Sequence, residues 1–244
     1  GMEAILEITK GAGRTGGGGV AVVEDVCHAP LARLGGRALG TFGTAGAFSF
    51  FGNKNMSMGE GGMILTRDEA IARELRLMRS HGMTTVTWQR HQGHAAEYDV
   101  IEAGYNYRLD EIRAAVGREQ LKKLPAATAR RAAAAARLRA HLEALEIPGL
   151  RIPFAAPRGE PAHHLFVILL PEQIAKKPEG RAAFRAALLA RGIQTSVHYP
   201  PLQTFSHTRA LWAGRDLALP VLDRVAPRLV TLPLGPGLTD EQLD

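Results

Sequence analysis

Cysteine is nearly absent from this sequence, which has one, Cys27, among 244 residues. A single cysteine excludes an internal disulfide framework and a cysteine-built metal site, since both need several thiols, and it fits a reducing compartment. The sequence also lacks an apolar run of membrane-spanning length and a signal-peptide pattern at its start. We therefore expect a cytoplasmic protein that does not associate with a membrane.

Two histidine pairs are the remaining candidates for metal ligands. His91 with His94, and His163 with His164, have no carboxylate or cysteine partner at a recognised metal-binding spacing. We predict no metal site.

Acidic residues are fewer than basic ones, 24 against 30, so that the formal net charge is +6. Such an excess can indicate nucleic-acid binding when the basic residues converge. Here many of the basic residues alternate with alanines in one segment, a pattern typical of a solvated helix surface. They are Arg130, Arg131, Arg137 and Arg139. We predict no nucleic-acid partner, although a basic surface helps to attract an anionic, phosphorylated substrate.

Short apolar runs bounded by glycine or polar residues predict buried strands at residues 20–23, 47–51 and 63–66. A helical pattern over residues 2–8 precedes them, and Thr66 with Glu69 forms a capping box that opens a helix over residues 68–80. Helices that alternate with such strands indicate an α/β fold. Gly11, Gly13 and Gly16 also spell G-x-G-x-x-G, but they follow a helix and precede a strand, the reverse of a dinucleotide-binding fingerprint.

The second half predicts a long aromatic loop over residues 83–106 and a helix over 110–124. Pro125 then opens a second helix, which ends near residue 146. The predicted elements that follow are strands at 164–170, 194–199 and 229–234, a helix at 181–191 and a capping box formed by Thr239 and Gln242. We therefore expect a partial large, cofactor-binding domain over residues 1–124, a connecting helix over 125–148 and a small α+β domain over 149–244.

Lys54 is the candidate for catalysis, because it lies in an apolar, glycine-rich stretch that begins at Phe48 and ends at Met63. A lysine amine condenses with a carbonyl only when it is unprotonated, and apolar surroundings favour that form. Pyridoxal phosphate needs a lysine, an acid for its ring nitrogen and donors for its phosphate. Asp25, at a strand end, and Ser49 can supply the last two. The residues alone leave open that the aspartate is a turn or cap and the lysine is solvated.

Several separated segments resemble, in order, the DegT/DnrJ/EryC1/StrS family of sugar aminotransferases, which has the type I fold of pyridoxal-phosphate enzymes. They are residues 23–29 (VEDVCHA), 40–43 (GTFG), 47–55 (AFSFFGNKN), 59–63 (GEGGM), 104–111 (GYNYRLDE), 191–193 (RGI), 198–202 (HYPPL) and 232–234 (LPL). The resemblance covers nearly the whole sequence. It implies the C-terminal part of the type I large domain, a mostly parallel sheet with helices, followed by a small α+β domain.

The resemblance also implies a role for each matching residue. Lys54 would form the Schiff base with pyridoxal 5′-phosphate and move the proton between substrate and cofactor, and Asp25 would pair with the pyridinium nitrogen. His28 would lie near the ring or its 3-hydroxyl, and Ser49 would bind the phosphate. Asn106 would reach the phosphate held by the neighbouring subunit, which implies a homodimer with its active site at the interface. His198 would lie near the substrate.

The reaction implied is transfer of an amino group from an amino acid donor, glutamate or glutamine, to a keto group of a nucleotide-linked sugar. Some relatives that act as dehydratases have a histidine at the position of Lys54, so lysine favours transamination. Family members normally carry an upstream segment with a phosphate-binding helix start and a stacking aromatic residue, and neither is found here. We therefore expect an N-terminally truncated chain. The alternatives are a catalytically inactive fragment with a non-catalytic or regulatory role, and a pyridoxal-phosphate sugar dehydratase.

Overall fold

The computed structural model describes residues 1–11, 19–84, 98–215 and 218–243. Contacts divide the chain into two compact units. Unit 1 comprises Gly1–Pro125 with Gly159–Ala162, and unit 2 comprises Ala126–Arg158 with His163–Asp244. Residues 12–18 of the glycine-rich run and residues 85–97 of the predicted loop, which include His91 and His94, lie outside the described residues.

Unit 1 combines helices with short strands. In chain order they are α1 (Met2–Gly11), β1 (Val23–Asp25), β2 (Arg33–Leu34), β3 (Arg37–Ala38), β4 (Ala45–Ser49), β5 (Gly62–Thr66), α2 (Glu69–Met78) and the first part of α3 (Glu111–Ala144). Strands β2 and β3 form an antiparallel hairpin. A small core of Phe50, Met56, Met58 and Leu124 packs with Phe48 of β4.

The three-stranded sheet of unit 1 has the order β1-β4-β5. Strand β1 runs parallel to β4, and β5 runs antiparallel to it. The predicted strands are present but displaced, and the prediction that all of them are buried is wrong. Val23 in β1 is 68% exposed and Ile64 in β5 is 51% exposed. These strands pair on one side with β4, and the described residues leave much of their other surface uncovered.

The start of α2 differs from the predicted capping box. Asp68 is the N-cap, and its Oδ1 accepts hydrogen bonds from the backbone N–H groups of Ala70 and Ile71. Thr66 instead donates its hydroxyl to the carbonyl oxygen of Thr44 on the neighbouring strand. An aspartate at the N-cap satisfies two free helix donors, so it displaces the threonine two residues earlier.

The two helices predicted on either side of Pro125 are one helix, α3, with the proline inside it. A proline removes one backbone donor and disfavours the helical conformation of the residue before it, but it does not always end a helix. Here the boundary between the two units falls directly after Pro125. The proline therefore marks a change of packing partner along a continuous helix.

Unit 2 is built on the second part of α3 and a two-stranded antiparallel sheet of β6 (Phe166–Leu169) and β7 (Leu229–Leu232). Its helices are α4 (Glu172–Ala175), α5 (Gly180–Leu189), α6 (Ser206–Leu211), α7 (Pro220–Val225) and α8 (Asp240–Leu243). Ile168, Leu170 and Val230 are its most deeply buried side chains. They pack with Ala135 of α3 and with Phe166.

The predicted strand at residues 194–199 is wrong, because this segment contributes a single bridge, from Ser196 to Thr231. The next residues are Pro200 and Pro201, which have no backbone N–H to extend a ladder. The capping box at the end of the sequence is confirmed. The backbone N–H of Gln242 donates to Oγ1 of Thr239, and that of Thr239 donates to Oε1 of Gln242.

The arginines of α3 are not a uniformly solvated surface, so that prediction is wrong in part. Arg139 donates to the carbonyl oxygens of Ile152 and Pro153, at 3.2 and 2.6 Å. Arg131 donates to the carbonyl oxygen of Leu234, and burial lowers the pKa of its guanidinium. Part of the positive charge therefore binds loops of unit 2.

None of the helices in the described ranges has an apolar stretch that is long enough to cross a bilayer. Within the same ranges, no group of three or more histidine, cysteine, aspartate or glutamate side chains is arranged to hold a metal ion.

Candidate functional site

Two of the predicted site residues lie at the carboxyl ends of parallel neighbours in the sheet. Asp25 is the last residue of β1 and is paired in register with Ala47 of β4. Ser49, the last residue of β4, lies two positions beyond Ala47, so Asp25 and Ser49 face the same side of the sheet. The carboxyl ends of parallel strands are the usual place for ligands in α/β folds.

Lys54 follows β4 in a turn that is closed by a hydrogen bond from its backbone N–H to the carbonyl oxygen of Phe51. Its side chain is half-buried, and Nζ lies 2.7 Å from Nε2 of His28. The two residues are 26 positions apart in the sequence. The fold therefore brings together the lysine and the histidine that were predicted to share a site.

The carboxylate of Asp25 belongs to the same group. Hydrogen bonds from the side chain and backbone N–H of Cys27 lower the pKa of Asp25, and the charges of His28 and Lys54 act in the same direction. Burial and the contact with Asp25 raise the pKa of the Cys27 thiol. At neutral pH this edge of the sheet thus presents an ionised carboxylate close to the side chains of Lys54 and His28.

Glu24, which was not among the predicted site residues, supports this arrangement from the opposite face of β1. Its side chain is buried, with 7% exposed. Oε1 accepts hydrogen bonds from the backbone N–H groups of Phe42 and Gly43, and Oε2 accepts one from Gly40, all at 2.6–2.7 Å. Glu24 thus fixes the turn before β4 against β1, the strand that carries Asp25.

The close packing of this turn explains its glycines. Gly40 has a φ of +86°, and a Cβ there would press against the ring of Phe48.

The signal that could have identified Glu24 was its place next to Asp25, since adjacent strand residues face opposite sides. If Asp25 faces a site, then Glu24 faces the interior, where a carboxylate needs several donors.

The other two predicted site residues, Asn106 and His198, have hydrogen-bond partners near them in their own units. Asn106 is exposed in unit 1, where its Oδ1 accepts a hydrogen bond from Nε of Arg108. His198 belongs to unit 2, where its Nδ1 lies 2.9 Å from Oγ1 of Thr231 and 3.2 Å from Oγ of Ser196. Their roles stay predictions.

The model of the DegT/DnrJ/EryC1/StrS aminotransferase family matches residues 2–244. The chain belongs to this family. Its α/β fold is accordingly that of the type I aminotransferases. The order of motifs around Lys54 therefore identified the family correctly.

Individual relatives agree with this result. The chain is 33% identical over 245 residues to the spore coat polysaccharide biosynthesis protein SpsC of Bacillus subtilis, and it covers 60% of that protein. It superposes on Helicobacter pylori PseC, an aminotransferase of pseudoaminic acid biosynthesis, with a TM-score of 0.85 and 25% identity. For DesV of S. venezuelae the TM-score is 0.81 and the identity 33%.

Coverage limits what these relatives imply. The match to PseC includes 99% of this chain but 60% of PseC, and the match to DesV includes 99% of this chain but 58% of DesV. The chain therefore spans about three fifths of the length of these relatives.

Proposed function

We propose that this chain carries the lysine-bearing part of a pyridoxal-phosphate-dependent sugar aminotransferase. The reaction would transfer an amino group from glutamate or glutamine to a keto group of a nucleotide-linked sugar. The observation that carries the proposal is the 2.7 Å contact of Lys54 with His28 beside the carboxylate of Asp25. Membership of the aminotransferase family supports it.

The donor groups at the site fit pyridoxal phosphate. When bound, this cofactor supplies an aldehyde carbon and an electron-withdrawing ring. Asp25, whose pKa is lowered, stays ionised and can accept a hydrogen bond from a protonated ring nitrogen. The hydroxyl of Ser49 lies on the same face and can donate to the phosphate.

Lys54 and His28 would act on the substrate side. Lys54 would hold the cofactor through its amine, and it would then serve as the base that takes a proton from the substrate and returns it. His28 contacts Nζ of Lys54 and would lie near the ring of the bound cofactor or its 3-hydroxyl. His198 would contact the substrate.

A homodimer is part of the proposal. Apolar side chains around Asn106 are exposed, including Tyr107 at 72% and Ile112 at 79%. Such a surface is suited to a protein partner, and a second copy would bring Asn106 towards the phosphate in the neighbouring subunit. The cytoplasmic location stays a prediction, which fractionation of the cells would test.

The direct test is covalent capture of the cofactor. After incubation with pyridoxal phosphate and reduction with borohydride, peptide mapping is expected to find one pyridoxyl group per chain, on Lys54. Lys54→Arg should abolish the label, whereas Lys123→Arg, at an exposed position of α3, should keep it. Labelling that is absent, or that is spread over other lysines, would refute the assignment.

Two other functions are separated by turnover. Exposed apolar residues at the sheet, such as Val23 and Ile64, favour a non-catalytic protein that binds a further polypeptide. Amination of a nucleotide-linked keto-sugar by the 244-residue chain would exclude it. A dehydratase would convert the sugar without consuming glutamate or glutamine, so assay of the amino donor distinguishes it from the transaminase.

A further inference from the structure

A four-residue segment that is distant in sequence ties together the chain regions that carry His28 and Lys54. We name this segment, Gly159–Ala162, the strap. It belongs to unit 1, although the residues on either side of it belong to unit 2. One end is bound to the chain shortly after His28, and the other is bound to the residue that follows Lys54.

The first end of the strap pairs with the chain shortly after His28. The backbone N–H of Arg33 donates to the carbonyl oxygen of Glu160, and the N–H of Glu160 donates to that of Arg33, both at 2.9 Å. Between His28 and Arg33 the chain turns twice, with hydrogen bonds from Ala29 to Val26 and from Ala32 to Ala29. The strap thus adds a strand-like pair to β2, five residues beyond His28.

At this end the backbone of the strap lies close to the backbone of β2. A Cβ on Gly159 would overlap the carbonyl oxygen of Arg33. Glycine is therefore required for the strap to reach the strand.

The second end of the strap is held by the residue next to Lys54. Nδ2 of Asn55 donates to the carbonyl oxygen of Ala162 at 2.6 Å. Asn55 is half-buried and Ala162 is 4% exposed, so the bond is shielded from water. Because Asn55 follows Lys54 directly, this bond limits the movement of the Lys54 backbone.

We propose that Asn55, through the strap, is a positioning residue that holds Lys54 within hydrogen-bond distance of His28. The contact between two flexible side chains needs two fixed backbones. The turn from Phe51 to Lys54 fixes one side of the lysine, and the bond from Asn55 to Ala162 fixes the other. The importance of this for catalysis rests on the proposed function, but the positioning itself does not.

The test is the reactivity of the Lys54 amine in the chain without cofactor. Trace labelling with acetic anhydride, followed by mass spectrometry, gives the ratio of Lys54 labelling to that of the exposed Lys123. Asn55→Ala is expected to raise this ratio about fivefold, the factor that corresponds to one net hydrogen bond. Asn53→Ala is the matched control, because Asn53 is exposed and precedes the lysine.

Gly159→Ala disturbs the other end of the strap and is expected to raise the ratio in the same direction. Its control is Gly235→Ala, which lies outside the turn of Lys54 and where a Cβ meets nothing within 4 Å among the described residues. If Gly159→Ala does not fold, Asn55→Ala still tests the proposal. Melting curves of all variants separate local release from general unfolding.

A double mutant decides whether Asn55 acts through the histidine contact. His28→Ala should raise the ratio at least as much as Asn55→Ala, and the combined variant should not exceed His28→Ala. A ratio for Asn55→Ala equal to that of Asn53→Ala, or a fully additive double mutant, would overturn the proposal. If these results are as expected but no pyridoxyl group is captured on Lys54, the positioning stands and the proposed function fails.

Discussion

Glu24→Gln is expected to loosen the turn that precedes β4, because it removes one acceptor from a buried carboxylate with three donors around it. The amide has nearly the same shape, so packing is retained. With its oxygen towards Phe42 and Gly43, its NH2 group faces the N–H of Gly40, which then lacks an acceptor. The unsatisfied donor costs about 1–3 kcal/mol, and two charge-assisted bonds become neutral ones. Together we expect a loss of about 2–4 kcal/mol.

Hydrogen exchange at the amides of Gly40, Phe42 and Gly43 measures this loss locally. A loss of about 2–4 kcal/mol corresponds to exchange that is faster by a factor of about 30 to about 1,000, provided that these amides exchange by local opening. Glu60→Gln, at an exposed position, is the control. Exchange that rises less than about threefold in Glu24→Gln would refute the view that the carboxylate holds this turn.

Three further predictions concern stability. Arg228→Met should lower the free energy of unfolding of unit 2 by about 3 kcal/mol. The reason is the loss of a buried guanidinium that binds two main-chain carbonyl oxygens and Glu172. Urea denaturation measures this loss, and the control Arg224→Met, at an exposed position, should not show it. Burial lowers the pKa of His163, so the folded protein holds this imidazole neutral. The contribution of His163 to stability is therefore complete above about pH 6.5 and is lost as the pH falls. His163→Asn should therefore flatten the pH dependence of unfolding from pH 7 to pH 5, and a profile that keeps the wild-type slope would contradict this. The lowered pKa of Asp25 acts in more acidic solution. The contribution of Asp25 to stability is complete above about pH 4 and is lost as the pH falls further. Asp25→Asn should therefore reduce the dependence of stability on pH below about pH 4, as measured by circular dichroism.

The sequence predicted the elements whose determinants are local. The capping box of Thr239 and Gln242 has both partners within three residues, and it forms as expected. Helix α1 and strands β4 and β5 follow from runs of apolar residues and were predicted to within two or three residues. The family followed from motifs whose order is preserved along nearly the whole chain.

The elements that were wrong depend on distant partners. Pro125 predicted a helix start, but α3 continues through it, with Leu124 before it and Ala135 after it buried in separate cores. The face of Arg139 that appeared solvated meets carbonyls of a loop that follows the helix. The contact of Lys54 with His28, and the bond of Asn55 to a residue 107 positions away, required the folded chain.

Glu24 and Asp25 are consecutive carboxylates with opposite requirements, one buried among backbone donors and one exposed at the candidate site. A shift of β1 by a single residue would reverse its two faces, so that Glu24 would turn away from the backbone donors of Gly40, Phe42 and Gly43, and Asp25 would turn away from the site. The exposed hairpin turn of Gly35 and Gly36 is the kind of site that tolerates a change of chain length best. Within β1, by contrast, a single-codon insertion or deletion would damage the interior and the site together.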